Sequence, residues 1–241
     1  MKHIVRLLVT AFIVQSASAQ VYSGNVVGYA NHMFVAGNNL FANPLEASAN
    51  TLSVLFNPAT VPDGTIISLW NPTTDSYDTS ATLSGGIWSL DLTLNPGTGA
   101  LLNAPTAFLN TFVGYVDNHD GSAYDGFALS PPPTFSGPDG LYLLSDKAPV
   151  ANTGSDIFLN ILGRLPNLGE QVITSAGTST YQGAGQWDIV PVLNVSDAAY
   201  LNIGPISSSV ALPALAPVPE PTTIALTLLG LALIPVCRRC H

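Results

Sequence analysis

Short runs of β-branched and aromatic residues, broken by Gly, Pro, Asn and Asp, recur along this chain from Ser23 onward. SGNVVGYANHMFV (Ser23–Val35), NNLFANPL (Asn38–Leu45), GTIISLWN (Gly64–Asn71), GIWSLDLTLN (Gly86–Asn95), GALLN (Gly99–Asn103) and TFVGYV (Thr111–Val116) each predict a strand. Such side chains fit a pleated surface, and the residues bounding them supply turns. In IWSLDLTL the alternation sets Trp88, Leu90, Leu92 and Leu94 on one face and Ile87, Ser89, Asp91 and Thr93 on the other, so one face is buried and one is wet. ANTLSVLFNP (Ala49–Pro58) reads as one or two helical turns, with Thr51 or Asn50 as cap and Leu52, Leu55 and Phe56 on a shared face.

The pattern repeats. GIWSLDLTLNPGTGALLN (Gly86–Asn103) lies without a gap on GQWDIVPVLNVSDAAYLN (Gly185–Asn202), matching Trp88 with Trp187, Ala100 with Ala199 and Leu102-Asn103 with Leu201-Asn202. NNLFANPLEASANTLSVLF (Asn38–Phe56) has a looser counterpart in Gly140–Phe158, and Gly64–Asn71 in Glu170–Gly177. A repeat of about a hundred residues has the size of a small domain. The expected architecture is all-β and turn-rich: two β units, or two halves of one pseudo-symmetric β sandwich.

The units are 21–116 and 140–204, joined by an acidic and Pro-rich linker over 117–139, with a Pro/Ala/Ser-rich tether over 205–217. Both ends differ from this body. Lys2, His3 and Arg6 precede an apolar Leu7–Val14, and small Ala17 and Ala19 stand ahead of Gln20. That is the order of a secretory signal peptide over 1–20, with its A-x-A-like cleavage pattern at Ala19 and Gln20, and its apolar part is too short for a membrane anchor.

Charge narrows the function classes. With Lys2, Arg6, Arg238 and Arg239 set aside, the body keeps only Lys147 and Arg164 against fourteen acids, a formal charge of −12. This lacks the basic footprint that nucleic acid or an anionic membrane surface requires. The two cysteines, Cys237 and Cys240, lie in the tail, so an exported body is held by its core without disulfides. A lone C-x-x-C at a chain end has no second ligand pair for a metal.

Catalytic groups are scarce, with only His32 and His119 as body histidines. DNHDGSAYDG places Asp117, Asp120 and Asp125 close enough in sequence to gather oxygen ligands for Ca²⁺, but the spacing departs from the D-x-[DN]-x-[DN]-G loop. Solvated turn acids account for the pattern better, and no cofactor is implied. Trp70, Tyr77, Trp88, Tyr181 and Trp187 could form a sugar-stacking surface; core packing suits Trp88 and Trp187 better, since both lie on alternating strands.

Two resemblances follow. GNVVGYAN, NNLFANPL, ISLWNPTTDSYDT and TLNPGTGALLN are similar to a β module of secreted and surface proteins of environmental bacteria, which implies a structural or adhesive role and no catalytic residues. Leu101 and Leu102 replace that module's usual aromatics, and the second copy has NVSD in place of the glycine turn, as expected of a degenerate copy. The C-terminal stretch 218–241 resembles a PEP-CTERM sorting signal. Val218, Pro219, Glu220 and Pro221 form the motif, and an uncharged run from Thr222 through Leu226, Leu229 and Leu231 to Val236 forms the helix. Arg238 and Arg239 form the cytoplasmic end. The fifteen uncharged residues fall short of the ~20 of a comfortable span. The resemblance implies export by Sec-type machinery, cleavage by signal peptidase, transient residence in the inner membrane and recognition by an exosortase. It also implies a final place at the cell surface or in an exopolysaccharide matrix. A carbohydrate-binding module and a secreted hydrolase are the alternatives.

Overall fold

The protein is described by a computed structural model covering residues 27–117 and 135–204. It is predominantly β, built of antiparallel sheets, as the strand pattern requires. Among the described residues no helix is long and apolar enough to cross a membrane.

The first half contains β1 (Val27–Phe34), β2 (Gly37–Ala42), α1 (Leu52–Leu55), β3 (Ile66–Asn71), β4 (Ser76–Ser84), β5 (Ile87–Trp88), β6 (Gly99–Ala104) and β7 (Phe108–Tyr115). Strands β2, β6, β3, β4 and β5 form one sheet in that order, while β1 and β7 pair as a separate ribbon. The ribbon continues the β2–β6 ladder after a corner that one side chain fixes. Asn39 accepts the Val35 N–H and returns bonds to the Val35 and Gly37 carbonyls, all at 2.9 Å. Folded over, the ribbon closes a core against the sheet: Ala30, Phe34, Phe108 and Phe112 meet Phe41, Ile67, Leu83 and Leu102. Phe56 lies at the centre, edge-on to Phe41, Phe112 and Trp88.

Two local expectations change. The helix occupies a single turn, and neither Thr51 nor Asn50 caps it through its side chain. Asp91 does so from a distant loop, accepting the Ser53 N–H and Oγ–H at 2.8 Å each. Asn50 is buried and instead ties Ala47 to Asn43 and Asn95. Because Asp91 is drawn to the helix, the strand expected through Asn95 ends at Trp88, and Leu90 is exposed although Leu92 and Leu94 remain inside. The nine-residue β4 has no apolar run to announce it, since only Ala81 and Leu83 among its residues are buried.

The second half contains β8 (Gly140–Leu144), β9 (Asn152–Thr153), α2 (Asp156–Leu162), β10 (Gln171–Thr174), β11 (Gly177–Gly183), β12 (Gln186–Trp187), β13 (Val192–Leu193) and β14 (Ala199–Ile203). Its sheet runs β8, β14, β10, β11, β12, the same connection order as the first. The register gives residue-level equivalences. Ile67 pairs with Leu102 as Val172 pairs with Leu201, and Gly37 pairs with Ala104 as Gly140 pairs with Ile203. The ungapped match of Gly86–Asn103 with Gly185–Asn202 agrees with these pairings. Both looser matches are displaced by one residue: Ile67, not Ile66, stands where Val172 stands, and Gly37, not Asn38, where Gly140 stands. One residue matters because it exchanges the faces of a strand.

The sheets hold each other by a reciprocal contact. Ala42 N–H donates to Ser196 O at 2.9 Å, and Ser145 N–H donates to Gly97 O at 3.1 Å, so the first strand of each sheet binds a turn of the other. The turns are alike. Thr98 N–H bonds to Asn95 O and Asp197 N–H to Asn194 O, each at 3.0 Å. Gly97 and Ser196 occupy equivalent positions with φ of +87° and +73°. NVSD therefore keeps the backbone shape of the glycine turn, with a serine where a side chain is disfavoured. Ser196 is also 3% exposed, and its buried Oγ has no hydrogen-bond partner among the described residues. Ser196→Gly should therefore raise stability by about 1 kcal/mol. Gly97→Ser should lower it by more, because a Cβ there would stand 2.9 Å from Lys147 Cγ. Chemical denaturation of both variants checks the pair.

The far end of β14 is closed by a buried ion pair. Glu170 is fully buried and accepts Arg164 Nη1 and Nη2 at 2.8 and 2.7 Å, Asn167 N–H at 2.6 Å and Gly204 N–H at 2.9 Å. Burial opposes ionisation, but these donors together outweigh it and hold the carboxyl below the ordinary Glu range. The depressed value places its stabilisation above the unfolded Glu value of about 4.3, with loss as pH falls through the folded value. Glu170→Ala should cost about 3–5 kcal/mol at neutral pH, because it leaves a partly buried guanidinium unpaired, and the variant should lose less stability than the parent on acidification below pH 4. Denaturant titrations at pH 7 and below 4 measure both effects.

Candidate functional site

The seam between the sheets brings together two of the residues singled out for binding, Trp70 and Tyr77. Alternation along β3 sets Trp70 on the face opposite Ile67 and Leu69, and a bulge at Asp78 in the β3–β4 ladder brings Tyr77 opposite Trp70 on that same face, toward the second sheet. There Trp70 Nε1–H donates to Leu141 O at 2.8 Å, and the indole stands edge-on to Tyr77 and Tyr200, with centroids 5.2 and 5.0 Å away. The Tyr77 and Tyr200 hydroxyls are hydrogen-bonded to each other. Leu141, Leu143, Ile173, Ala42 and Ala198 complete the cluster. The sheets are in close contact at Gly99, where a Cβ would stand 2.7 Å from Leu143 Cγ and 2.8 Å from its carbonyl oxygen.

Electrostatically the seam is neutral. Burial raises the Tyr77 hydroxyl above the ordinary tyrosine range, and the bond to Tyr200 raises it further. Burial also raises Tyr200, with the Tyr77 bond opposing. Both are phenols at physiological pH, able to exchange one hydrogen bond and unable to act as bases. Beside them a cavity of about 280 Å³ is floored by Leu40, Leu101 and Ile173 and rimmed by Asn38, Thr174 and Tyr200. Its lining suits a small, uncharged, mostly apolar group.

The remaining aromatics lie elsewhere. Trp88 is in the first core, and its buried Nε1 has no hydrogen-bond partner among the described residues. Tyr181 and Trp187 form a tilted pair 5.3 Å apart at the opposite edge of the second sheet, with Trp187 leaning on Phe158 and donating to Ser155 Oγ at 3.3 Å. Trp70 with Tyr77, Trp88 alone, and Tyr181 with Trp187 thus occupy three places, not one planar row. Of the Ca²⁺ candidates Asp117 follows β7, while Asp120 and Asp125 lie outside the described residues. Among the described residues no group of three His, Cys, Asp or Glu could hold a metal ion.

His32 packs edge-on to Phe34 at 4.6 Å. Burial holds its imidazole below the ordinary range, with Asp197 opposing, so the ring is neutral at pH 7. Two further cavities, of about 460 and 330 Å³, carry one charged group each, Lys147 and Glu46. The signal-cleavage pair Ala19 and Gln20, the motif Val218–Pro221, the tail helix 222–236 and Arg238–Arg239 all lie outside the described residues.

Sequence reasoning missed the inward-facing Tyr200 because it treated AAYLN as a match for GALLN, where Leu101 stands at that position. It also missed α2, although Ser155-Asp156 at its start and a left-handed Gly163 at its end are ordinary helix boundaries. Comparison with protein-family models, curated proteins and solved structures gives no match.

The seam makes a quantitative prediction. Tyr77→Phe and Tyr200→Phe should each weaken the protein, and a double-mutant cycle between them should show a coupling of about 1 kcal/mol. Equilibrium unfolding of the four species measures it.

Proposed function

We propose that this chain is a non-enzymatic exported protein, sorted through its C-terminal tail by an exosortase, whose β body serves as a structural or adhesive component of the bacterial cell surface or exopolysaccharide matrix. The observation that carries the reading is the order of elements at the extreme C-terminus: VPEP at 218–221, an uncharged run to Val236, then Arg238 and Arg239. A fifteen-residue run is a poor permanent anchor, and paired arginines hold it inside only until the motif is processed.

The body supports the same reading. We take the shared connection order and equivalent turns as an internal duplication, two β units packed into one sandwich-like body. Such a body suits a passive role: it is held by aromatic cores and backbone ladders that need neither disulfide nor ligand. Distribution of the five aromatics over three places favours a packing role over a flat sugar platform.

Mass spectrometry of the mature C-terminus in cells with and without the exosortase tests the proposal. The expected result is a chain ending near Pro221 when the enzyme is present and an intact tail when it is absent. A tail retained in both overturns the sorting reading.

A further inference from the structure

Among the described residues, strand β1 leaves a backbone edge open. In an antiparallel ladder alternate residues direct both N–H and C=O toward a given neighbour. Glu46 and Tyr115 exchange both backbone bonds, at 2.9 and 2.8 Å, so the odd-numbered residues of β7 point away from β1. The even-numbered residues then bond to β1, and the register turns the N–H and C=O of Tyr29, Asn31 and Met33 to the outer edge. Among the described residues none of these groups bonds to another backbone group. The side chains are in solvent as well, Tyr29 at 75% and Met33 at 60% exposure.

Natural edge strands of this length usually carry a lysine, a proline, a bulge or an inward charge that prevents association. VGYANHMF has none of these, and its eight residues pair with β7 without a register shift. We propose that β1 pairs edge to edge and antiparallel with β1 of a second copy of this chain. Charge makes this face the place where two copies can meet. The chain carries −9, so copies repel over most of their surface, whereas β1 and β7 contain no charged residue. The strand is also self-complementary. A two-fold axis perpendicular to the ribbon must keep each core on the same side, so facing residue numbers sum to an even value. Centred on Asn31, the axis sets Tyr29 opposite the partner's Met33 and joins all three open odd positions on each strand. The two ribbons, each already packed on its own core, become one four-stranded sheet.

The pairing concerns the β body alone, so its failure is distinguishable from failure of the sorting reading, which the mature C-terminus reports. The test uses the full-length chain with Cys237→Ser and Cys240→Ser, expressed with export and oxidised on the cells. Asn31→Cys should give a disulfide-linked homodimer on non-reducing gels, because facing Cα atoms in such a pair are about 5.5 Å apart. Met33→Cys alone should not, since two copies of residue 33 would lie roughly 13 Å apart along the strand, but Met33→Cys with Tyr29→Cys should. Light scattering on the detergent-purified chain without the β1 substitutions should give a dimer that Asn31→Lys converts to monomer. An unchanged near-ultraviolet spectrum of Trp70 and its tyrosines would show that the lysine variant is folded. A monomeric parent chain, a dimer indifferent to Asn31→Lys, equal cross-linking by Met33→Cys alone, or cross-linking of Asn31→Cys only to a different protein would each overturn the proposal.

Discussion

Everything in this fold is arranged around a reciprocal contact: the first strand of each sheet bonds to a turn of the other, Ala42 to Ser196 and Ser145 to Gly97. The contact requires a turn whose third residue has a positive φ, because only that shape presents the Gly97 and Ser196 carbonyls outward to a neighbouring edge. Glycine meets the requirement without strain in one half; in the other, burial and the surrounding bonds hold a serine to it. Once the turns are engaged, the ends of β2 and β8 are bridged to the opposite half and Gly99 is brought against Leu143. Trp70, Tyr77 and Tyr200 then fill the seam.

Each sheet has a second face, and the two halves treat it differently. In the first half the chain folds its own β1–β7 ribbon over Phe41, Phe56 and Leu102, giving a closed aromatic core. In the second, α2 contributes Ile157, Phe158 and Leu162 against Val172 and Leu201, and the Arg164–Glu170 pair closes the end. A chain with two cations in its body devotes one of them to a buried carboxylate. That allocation fits a protein whose charges serve packing and solubility, not the binding of an anionic partner.

The ribbon links this architecture to the proposed role. Its inner face belongs to the core, and its outer face and free edge carry no charge on an otherwise acidic molecule. A sorted surface protein that also pairs through this edge would display two copies of its β body together, which gives an adhesive or matrix component more than one point of contact.

How much of this could be read beforehand depended on the range of the forces involved. Alternating apolar residues announced most strands of the first half, and the ungapped match around Trp88 and Trp187 carried the correct equivalences, because side-chain period and turn chemistry are local. The looser matches slipped by one residue since Ile66 and Ile67 are chemically alike, and only pairing with β6 shows which faces the core. Asp91 looked like the wet side of a strand until α1 supplied a Ser53 N–H for it to accept. Of the candidate site residues, Trp70 and Tyr77 were visible as aromatics, but not their partner Tyr200, which lies 123 positions beyond Tyr77. The sequence by itself determined the β class, the confinement of both cysteines to positions 237 and 240, and the order of VPEP, uncharged run and arginine pair over 218–239, because composition and short-range order suffice for these. Only the tertiary structure decided which aromatics are buried, which turns interlock and which strand edge is left open among the described residues, since each rests on contacts between residues far apart along the chain.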